Sequence, residues 1–255
     1  MRRVTKRQRA MSSRAAGITG GSLGRWVLGS LALGFACLCY VYLTLPDVRP
    51  LATANPTSTA FIQLRSDEAH DAGRPARRVQ RWVAYTRISP HVKKAVLVAE
   101  DATFWQHEGI DLAQIQESLE VDLARRQLVR GASTITQQLA KNLYLSPTRN
   151  PLRKLRELVI ARRLEAELTK ARILELYLNV IEWGDCIYGV DAAARAYFNL
   201  PAAALGPDES ALLAGAIINP RALNPAKPSP RLLRRQQLIL KRMGAVAPPA
   251  DSSGV

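Results

Sequence analysis

Residues 96–111 read VLVAEDATFWQHEGID, and this stretch decides how the rest of the chain is interpreted. Small and aliphatic residues lead directly into two adjacent acids, Glu100 and Asp101. Burial of a carboxylate at the edge of a core raises its pKa and prepares it for proton transfer. The alternative is that both acids are solvated where a buried helix emerges, and this stretch alone leaves both interpretations open. The remaining polar and aromatic members of the stretch are Phe104, Trp105, His107 and Gly109.

The segments on either side of this stretch predict helices. Ser89 followed by Pro90 is typical of a helix N-terminus, so we expect a helix that runs to Glu100. Residues 111–128 place leucine and isoleucine at three- and four-residue steps, which predicts an amphipathic helix. Core packing explains that pattern, and contact with a membrane is the alternative. We predict that this segment enters the bilayer interface, which liposome partitioning after Leu119→Asp and Leu123→Asp would test.

Residues 130–145, RGASTITQQLAKNLYL, predict the start of a further helix with polar side chains along it. Thr134 and Gln137 have the spacing of a capping box, in which each side chain bonds the other residue's backbone. Helix initiation does not explain Gln138, nor Lys141 four residues after Gln137 on the same face. Amide side chains both donate and accept hydrogen bonds, which suits sugar hydroxyl and acetamido groups.

A cluster of cations opens the next predicted helix. Asn150 and Pro151 predict an N-cap and a first helical residue. Arg153 and Glu157 are four residues apart and are expected to form only an exposed pair, worth a few tenths of a kcal/mol. Positive charge in a first helical turn opposes the helix dipole, so an anion is a candidate compensator. The other cations of this cluster are Arg149, Lys154 and Arg156.

The rest of the chain predicts a mainly α domain. Thr169 begins a core-facing helix in which Glu175 and Asn179 are interpreted as structural, and two more helices are predicted over 209–218 and 232–243. No strand pattern is evident after Trp82. Residues 46–81 lack clear periodicity and are interpreted as a linker or loosely packed lead-in. The main domain is expected over residues 82–243. Residues 244–255 are expected to form a disordered tail.

Charge and hydropathy predict a membrane anchor at the N-terminus. The net charge is +15, and residues 1–46 contain seven of the 36 basic residues and no acid. Residues 26–45 contain no charge and are long enough, as a helix, to cross the roughly 30 Å of a bilayer core. A cleaved signal peptide would have a shorter apolar region and a small-residue cleavage site. The basic residues over 1–25 predict a cytoplasmic N-terminus. Cys37, Cys39 and Cys186 do not suggest a disulfide framework.

Together these stretches resemble glycosyltransferase family 51, the peptidoglycan glycosyltransferases, and most closely the monofunctional biosynthetic transglycosylases. The resemblance covers residues 82 to about 243. The blocks that carry it are EDATFWQHEG (100–109), GASTITQQLAKN (131–142), RKLRE (153–157) and KARILELYLN (170–179), with weaker support from GVDAAARAYF (189–198) and ESALLAGAIINP (209–220). It implies a lysozyme-like α-helical domain behind a single transmembrane helix.

The resemblance implies polymerisation of lipid II, a disaccharide-pentapeptide on undecaprenyl diphosphate. The growing glycan would be the donor, and the 4-hydroxyl of an incoming lipid II would attack its anomeric carbon with inversion. Glu100 matches the family's general base, and Glu157 a second acid that assists at the donor diphosphate or through a metal. The cations that match the diphosphate site are Lys141, Arg149, Arg153 and Lys154, and the substrate-contacting block matches Ser133, Thr134, Gln137 and Gln138. Supporting positions are Asp101, Phe104, His107 and Gly109.

The resemblance also implies an inner-membrane protein with a periplasmic domain, for which division or elongation proteins are candidate partners. We predict that Mg²⁺ or Mn²⁺ raises activity without a dedicated metal site. A lysozyme-type cleaving enzyme would not need the cations between Lys141 and Lys154. A non-enzymatic anchored adaptor is a further alternative, whereas the predicted location and the lack of a known motif oppose nucleic-acid binding. Transpeptidation is not expected because S-x-x-K and K-T-G do not occur in the chain.

Overall fold

A computed structural model describes residues 19–113, 115–116, 133–148 and 150–245. The chain divides into two units, Met1–Leu45 and Pro46–Val255. In the first unit, helix α1 spans Thr19–Leu43. Its segment Gly24–Leu43 is, among the described residues, the one helical stretch long and apolar enough to cross a membrane by length and composition. This helix fits the predicted membrane anchor, although it begins and ends slightly earlier than residues 26–45.

The second unit is built from helices, which confirms the mainly α prediction. Three single 3₁₀ turns occupy Arg49–Ala52, Tyr85–Arg87 and Ala202–Ala204. The longer helices are α2 (Ala60–Asp71), α3 (Pro90–Glu100), α4 (Ile135–Tyr144), α5 (Pro151–Glu167), α6 (Lys170–Val180), α7 (Val190–Phe198), α8 (Pro207–Ala216) and α9 (Pro230–Ala245).

Local capping explains why four of these helices begin where the sequence predicts. Ser89 Oγ accepts from the backbone of His91, which caps α3. The side chains of Thr134, Asn150 and Thr169 cap α4, α5 and α6 in the same way. The predicted capping box at Thr134 is only half formed, because the Gln137 side-chain oxygen accepts from Lys154 Nζ instead. The N-termini of these four helices can therefore be predicted from the residues next to them in the sequence.

The core lies between two groups of helices. Helix α4 packs against α2, α5 and α6, and α3 packs against α8 and α9. Val92 and Val96 of α3 are completely buried. Helix α9 approaches closely because α8 carries Gly215, where a Cβ atom would lie only 3.0 Å from Leu232 Cδ1. This close approach brings the basic helix α9 alongside α3.

The segment expected to be a loosely packed linker is folded onto the domain. Thr59 Oγ1 caps α2 by accepting from the backbone of Ile62. Arg65 of α2 pairs with the buried Glu182 at 3.2 Å, and Arg172 donates to the backbone oxygen of Leu51. The helix was not predicted because few of its side chains are buried, so it has no clear hydrophobic periodicity. The partner of Arg65 lies more than a hundred residues away in the sequence. The linker interpretation therefore needs correction.

A small sheet also contradicts the expectation that no strands follow Trp82. Strands β1 (Val79–Gln80), β2 (Glu182–Gly184) and β3 (Ile187–Tyr188) lie in the order β1-β3-β2. β1 runs parallel to β3, and β2 runs antiparallel to it. Strands of two or three residues are too short to show alternation, which explains the omission.

The interpretation of Glu175 and Asn179 as structural is confirmed. Asn179 accepts from the backbone of Val83 at 2.8 Å and donates back to the same residue at 2.9 Å. Glu175 accepts from the backbone of Tyr85. The two α6 side chains therefore hold the chain that leads into α3.

Two predicted segments lie largely outside the described residues. The expected helix over 111–128 is represented only by helical residues 112–113 and 115–116, so Leu119 and Leu123 are not described. The tail expected from residue 244 is helical through Ala245, where α9 ends. Residues 246–255, like residues 1–18, are outside the described ranges.

Candidate active site

Glu100 is the last residue of α3, and its carboxylate is sheltered but reachable. The side chain keeps 14% of its exposure. Gln138 Nε2 donates to Glu100 Oε2 at 3.0 Å, and the Arg235 guanidinium lies 3.6 Å from Oε1. Burial raises the pKa of Glu100, while the Gln138 hydrogen bond and the charges of Arg235 and Lys141 oppose that rise. Such a group can accept a proton, as the first interpretation of the acid pair predicted.

A short hydrogen-bond chain orients the Gln138 amide toward Glu100. The Tyr177 hydroxyl donates to Gln138 Oε1 at 2.9 Å, so the amide nitrogen faces Glu100. Tyr177 is completely buried, and this burial raises its pKa well above the ordinary value. The phenol therefore keeps its proton and holds Gln138 in one orientation.

Asp101 has a structural role although it is adjacent to Glu100. Its side chain is fully buried, and one oxygen accepts from the backbone of Ile135 at 2.9 Å. His107 Nε2 lies 3.0 Å from both Asp101 oxygens. The Gly109 backbone donates to His107 Nδ1, so the imidazole proton lies on Nε2 and is directed at Asp101. Asp101 thus ties the start of α4 to the end of α3.

Phe104 and Gly109 complete this support. Phe104 is fully buried, with Lys170 Nζ 4.5 Å from its ring centroid. Gly109 has φ +84, and a Cβ atom there would lie 3.0 Å from Glu165 Cγ and 3.2 Å from the Ala161 oxygen. Thr134 Oγ1 donates to the Gly109 backbone oxygen at 2.7 Å. A side chain at position 109 would therefore be strained and would also displace the loop from α5.

Glu157 sits at the centre of the predicted cation cluster. Arg153 Nη1 donates to one Glu157 oxygen at 2.6 Å, and Lys154 Nζ donates to the other at 2.5 Å. The Glu157 side chain is only 4% exposed and that of Arg153 17%, so the expectation of a merely exposed pair is wrong. The tertiary reason is that α5 packs against α4, which shields the pair from solvent.

Lys154 connects this cluster to α4. Its Nζ also lies 3.2 Å from Ser133 Oγ and 3.2 Å from Gln137 Oε1, and it donates to both. Gln137 Nε2 is buried and has no hydrogen-bond partner among the described residues. An unsatisfied buried donor beside cations is suited to receive a ligand oxygen.

Lys141 lies within electrostatic range of both carboxylates. Burial lowers the pKa of Lys141, and the charge of Glu157 counteracts that effect. The charge of Glu100 acts on Lys141 in the same direction as that of Glu157. Phe61 of α2 lies beneath it, with 5.8 Å from the amine to the ring centroid. Arg149, the remaining predicted cation, is outside the described residues.

Comparison with known proteins agrees with this geometry. Residues 67–244 match the family model described as "Transglycosylase". The chain is 45% identical over 224 residues to a biosynthetic peptidoglycan transglycosylase of Nitrosomonas eutropha, covering 88% of this chain and 92% of that protein. It is 44% identical over 229 residues to the protein of the same name from Dechloromonas aromatica, covering 89% and 99%. A third relative of that name, from Aromatoleum aromaticum, is 48% identical over 190 residues, covering 74% and 82%.

The chain belongs to the transglycosylase family. The family resemblance read from the motifs is thus confirmed, and the protein is a glycosyltransferase. The match begins at residue 67, within α2, which agrees with the packing of the supposed linker onto the domain.

Three contributors to the transglycosylase site were missed by sequence reasoning. Arg235 lies on α9, where the sequence predicted only a helix over 232–243, and Tyr177 lies on the helix that was predicted only to face the core. Phe61 was assigned to a linker. No local signal identifies Arg235, since it reaches Glu100 only through the packing of α9 against α3.

The described carboxylates of the transglycosylase site do not fit a metal cage. Both Glu157 oxygens are held by cations, and both Asp101 oxygens are held by His107 and Ile135. Glu100 lies between an amide and a guanidinium. Among the described residues, no group of three or more histidine, cysteine or acidic side chains could hold a metal ion. The prediction that Mg²⁺ or Mn²⁺ raises activity did not include a dedicated metal site, and the part of the chain that the structure describes offers no set of protein ligands for one.

Proposed function

We propose that this transglycosylase polymerises lipid II into the β-1,4-linked glycan strands of peptidoglycan, with Glu100 as general base. The observation that carries the proposal is the sheltered Glu100 carboxylate, held by a neutral amide and within electrostatic range of Lys141. The relatives' shared name, biosynthetic peptidoglycan transglycosylase, supports the same assignment. A lysozyme-type cleaving enzyme would have no need for the cation cluster on α4 and α5, because its substrate has no diphosphate at the reacting carbon.

The reaction needs a base because a sugar hydroxyl is a poor nucleophile. Glu100 takes the proton from the 4-hydroxyl of the incoming lipid II as that oxygen bonds to the donor's anomeric carbon. The bond from this carbon to the diphosphate breaks, and the electron pair leaves with undecaprenyl diphosphate. Attack opposite the leaving group inverts the carbon, and the transition state has oxocarbenium character. A positioned general base typically contributes roughly 10²–10⁴-fold to such a step.

The cations stabilise the charge that develops on the leaving diphosphate. Lys141, Arg153 and Lys154 are preorganised by hydrogen bonds or packing before substrate arrives, so little reorganisation is needed in the transition state. Arg149 is assigned to the same role from the family resemblance. Ser133, Thr134, Gln137 and Gln138 belong to the substrate-contacting block, of which Gln137 Nε2 is the donor without a protein partner.

Glu157 acts by holding two of these cations in place. Its oxygens are taken up by Arg153 and Lys154, so it has no capacity to accept a proton from substrate without losing those contacts. A divalent ion would therefore act as a counter-ion of the substrate diphosphate. This role is narrower than the direct or metal-mediated assistance that the resemblance implied.

The anchor gives the proposed location. Helix α1 would cross the inner membrane once, and the basic residues before it favour a cytoplasmic N-terminus and a periplasmic catalytic domain. Tethering the site beside a membrane raises the effective concentration of a lipid-linked substrate. Division or elongation proteins are the candidate partners at that location.

The test compares purified wild-type protein with Glu100→Gln in detergent or liposomes supplied with labelled lipid II. We expect polymer from wild type and a loss of roughly 10²–10⁴-fold in rate for the variant. The matched control is Glu108→Gln, which removes an acid that is 78% exposed in the loop that follows α3. Polymer formed equally by Glu100→Gln would move the base elsewhere. Cleavage of finished peptidoglycan without polymer formation would favour the lytic alternative.

A further inference from the structure

A separate cavity of about 350 Å³ is lined by three arginines, Arg81, Arg87 and Arg195, together with Trp82 and Asp191. Arg81 and Arg87 precede α3, whereas Glu100 ends it. The 11 residues of α3 rise roughly 16 Å, so this cavity is distinct from the diphosphate cluster. The proposed reaction uses none of these five residues. We call this feature the arginine groove.

Asp191 organises two of the arginines. Its side chain is 8% exposed, and it accepts from Arg195 Nε at 2.8 Å and from the Ala202 backbone at 2.8 Å, with Arg81 Nε at 3.3 Å. Burial alone would raise the pKa of Asp191, but the hydrogen bonds from Ala202 and Arg195 and the nearby positive charges lower it. The carboxylate therefore stays ionised and holds both guanidinium groups by their Nε atoms.

This arrangement leaves the ends of the arginines available. Among the described residues, the terminal Nη atoms of Arg81 and Arg195 have no hydrogen-bond or ion-pair partner, and the Arg87 guanidinium has none through any of its nitrogens. Three guanidinium groups face one carboxylate, so positive charge remains in excess. A guanidinium fork matches a carboxylate through two parallel hydrogen bonds.

The groove extends beyond this cavity along β1. A hollow of about 620 Å³ shares Arg81, Trp82 and Arg195 with it, and another of about 460 Å³ shares Trp82 and includes Arg78. Trp82 is thus common to all three. Between the arginines, the lining consists mostly of small apolar side chains such as Ala192, Ala196, Pro201 and Ala203. An extended chain with small side chains and several carboxylates would match this alternation of charge and apolar surface.

We propose that the arginine groove binds the carboxylates of the peptide stems on the nascent peptidoglycan strand. The proposal rests on the proposed function, because that reaction produces a polymer with one peptide on each disaccharide. The cations here are spaced along a surface and accompanied by Asp191, which disfavours a dianionic phosphate more than a single carboxylate. Polymer made at the site also stays near the groove, which raises its effective concentration.

The first experiment titrates the full chain in detergent with soluble disaccharide-pentapeptide that carries neither lipid nor diphosphate. Binding is measured by calorimetry in the Glu100→Gln background, so catalysis is not required and failure of the proposed reaction would not abolish the signal. We expect saturable binding that weakens at least about tenfold in Arg81→Gln with Arg195→Gln, since a tenfold change is modest for loss of two bidentate contacts. The matched control is Arg231→Gln with Arg234→Gln, two exposed arginines on α9.

A second variant distinguishes loss of binding from loss of folding. Arg87→Gln removes a guanidinium that contacts no other described side chain by hydrogen bond or ion pair, so we expect weaker binding with an unchanged melting temperature. Equal binding by a disaccharide-pentapeptide with its carboxylates amidated would overturn the proposal. Equal or tighter binding of a poly-glutamate peptide would also overturn it, and would assign the groove to an acidic segment of a partner protein.

Discussion

Two glutamates of the site are held in opposite ways. Glu100 receives one hydrogen bond from a neutral amide and has a guanidinium at 3.6 Å, whereas Glu157 is bonded by two cations at 2.6 and 2.5 Å. Both side chains are largely buried. Their burial is similar, so the difference lies in the charges that accompany each carboxylate.

In the proposed reaction, this difference separates a proton acceptor, Glu100, from a carboxylate that holds cations, Glu157. Burial raises the pKa of Glu100, and partners that only partly oppose the rise leave a carboxylate that can take a proton. Glu157 instead stabilises Arg153 and Lys154 where a diphosphate is proposed to bind. Glu100→Gln has the largest expected effect, and four further changes would test the difference between the two glutamates.

Glu157→Gln removes the carboxylate charge that holds Arg153 and Lys154. We expect a roughly 10- to 100-fold loss in polymerisation rate, because hydrogen bonds to charged groups contribute about 1.5–3 kcal/mol and each 1.4 kcal/mol corresponds to tenfold. The acid limb of the pH–rate profile should stay in place, since the proposed base is Glu100. Glu167→Gln, at an exposed acid of the same helix, is the matched control. A wild-type rate in Glu157→Gln would remove Glu157 from the proposed machinery.

Arg235→Gln should change the pKa of Glu100 and leave the contacts of Glu157 intact. The charge of Arg235 opposes the burial that raises the pKa of Glu100, so its removal raises that pKa further. Because the base must be ionised, the acid limb of the kcat–pH profile should move to higher pH. At pH values below the shifted pKa, kcat should be several-fold lower than in wild type. Arg234→Gln, an exposed neighbour on α9, should leave the limb in place. A uniform loss of rate with an unmoved limb would contradict this positioning role.

Lys141→Arg tests the role of the cation that lies within electrostatic range of both glutamates. Burial lowers the pKa of Lys141, so its positive charge is lost at lower pH than in a free lysine. If that charge binds the diphosphate, activity falls as pH rises through this pKa, and arginine should move the alkaline limb to higher pH. The exposed Lys227→Arg is the control, measured in the same pH–rate series. An alkaline limb shared by both variants and wild type would assign it to another group.

Removal of divalent ions should have the smallest effect of these changes. The described carboxylates of the site offer no ligand set, so Mg²⁺ or Mn²⁺ would act on the substrate diphosphate. We expect EDTA to lower the rate of purified wild type modestly, and added Mg²⁺ to restore it. The loss should be larger in Glu157→Gln, where the cations are less well held. An EDTA-insensitive rate in both proteins would end the metal prediction.

Much of the local structure could be predicted because its causes are local. Ser89, Thr134, Asn150 and Thr169 cap their helices through hydrogen bonds to residues two or three positions away. Such contacts depend on residue type and spacing alone. The short strands and α2 escaped prediction because their stabilising partners, such as Glu182 for Arg65, are distant in the sequence.

The amino-acid sequence was enough to identify the family, the starts of four helices and most of the acidic, basic and amide residues of the site. Tertiary packing decided how the two adjacent acids are held, because Asp101 turns inward to Ile135 and His107 while Glu100 meets Gln138 and Arg235. It also decided that Glu157 is buried. The physical reason is that burial and long-range pairing, which set the state of a carboxylate, arise only when separate helices pack together.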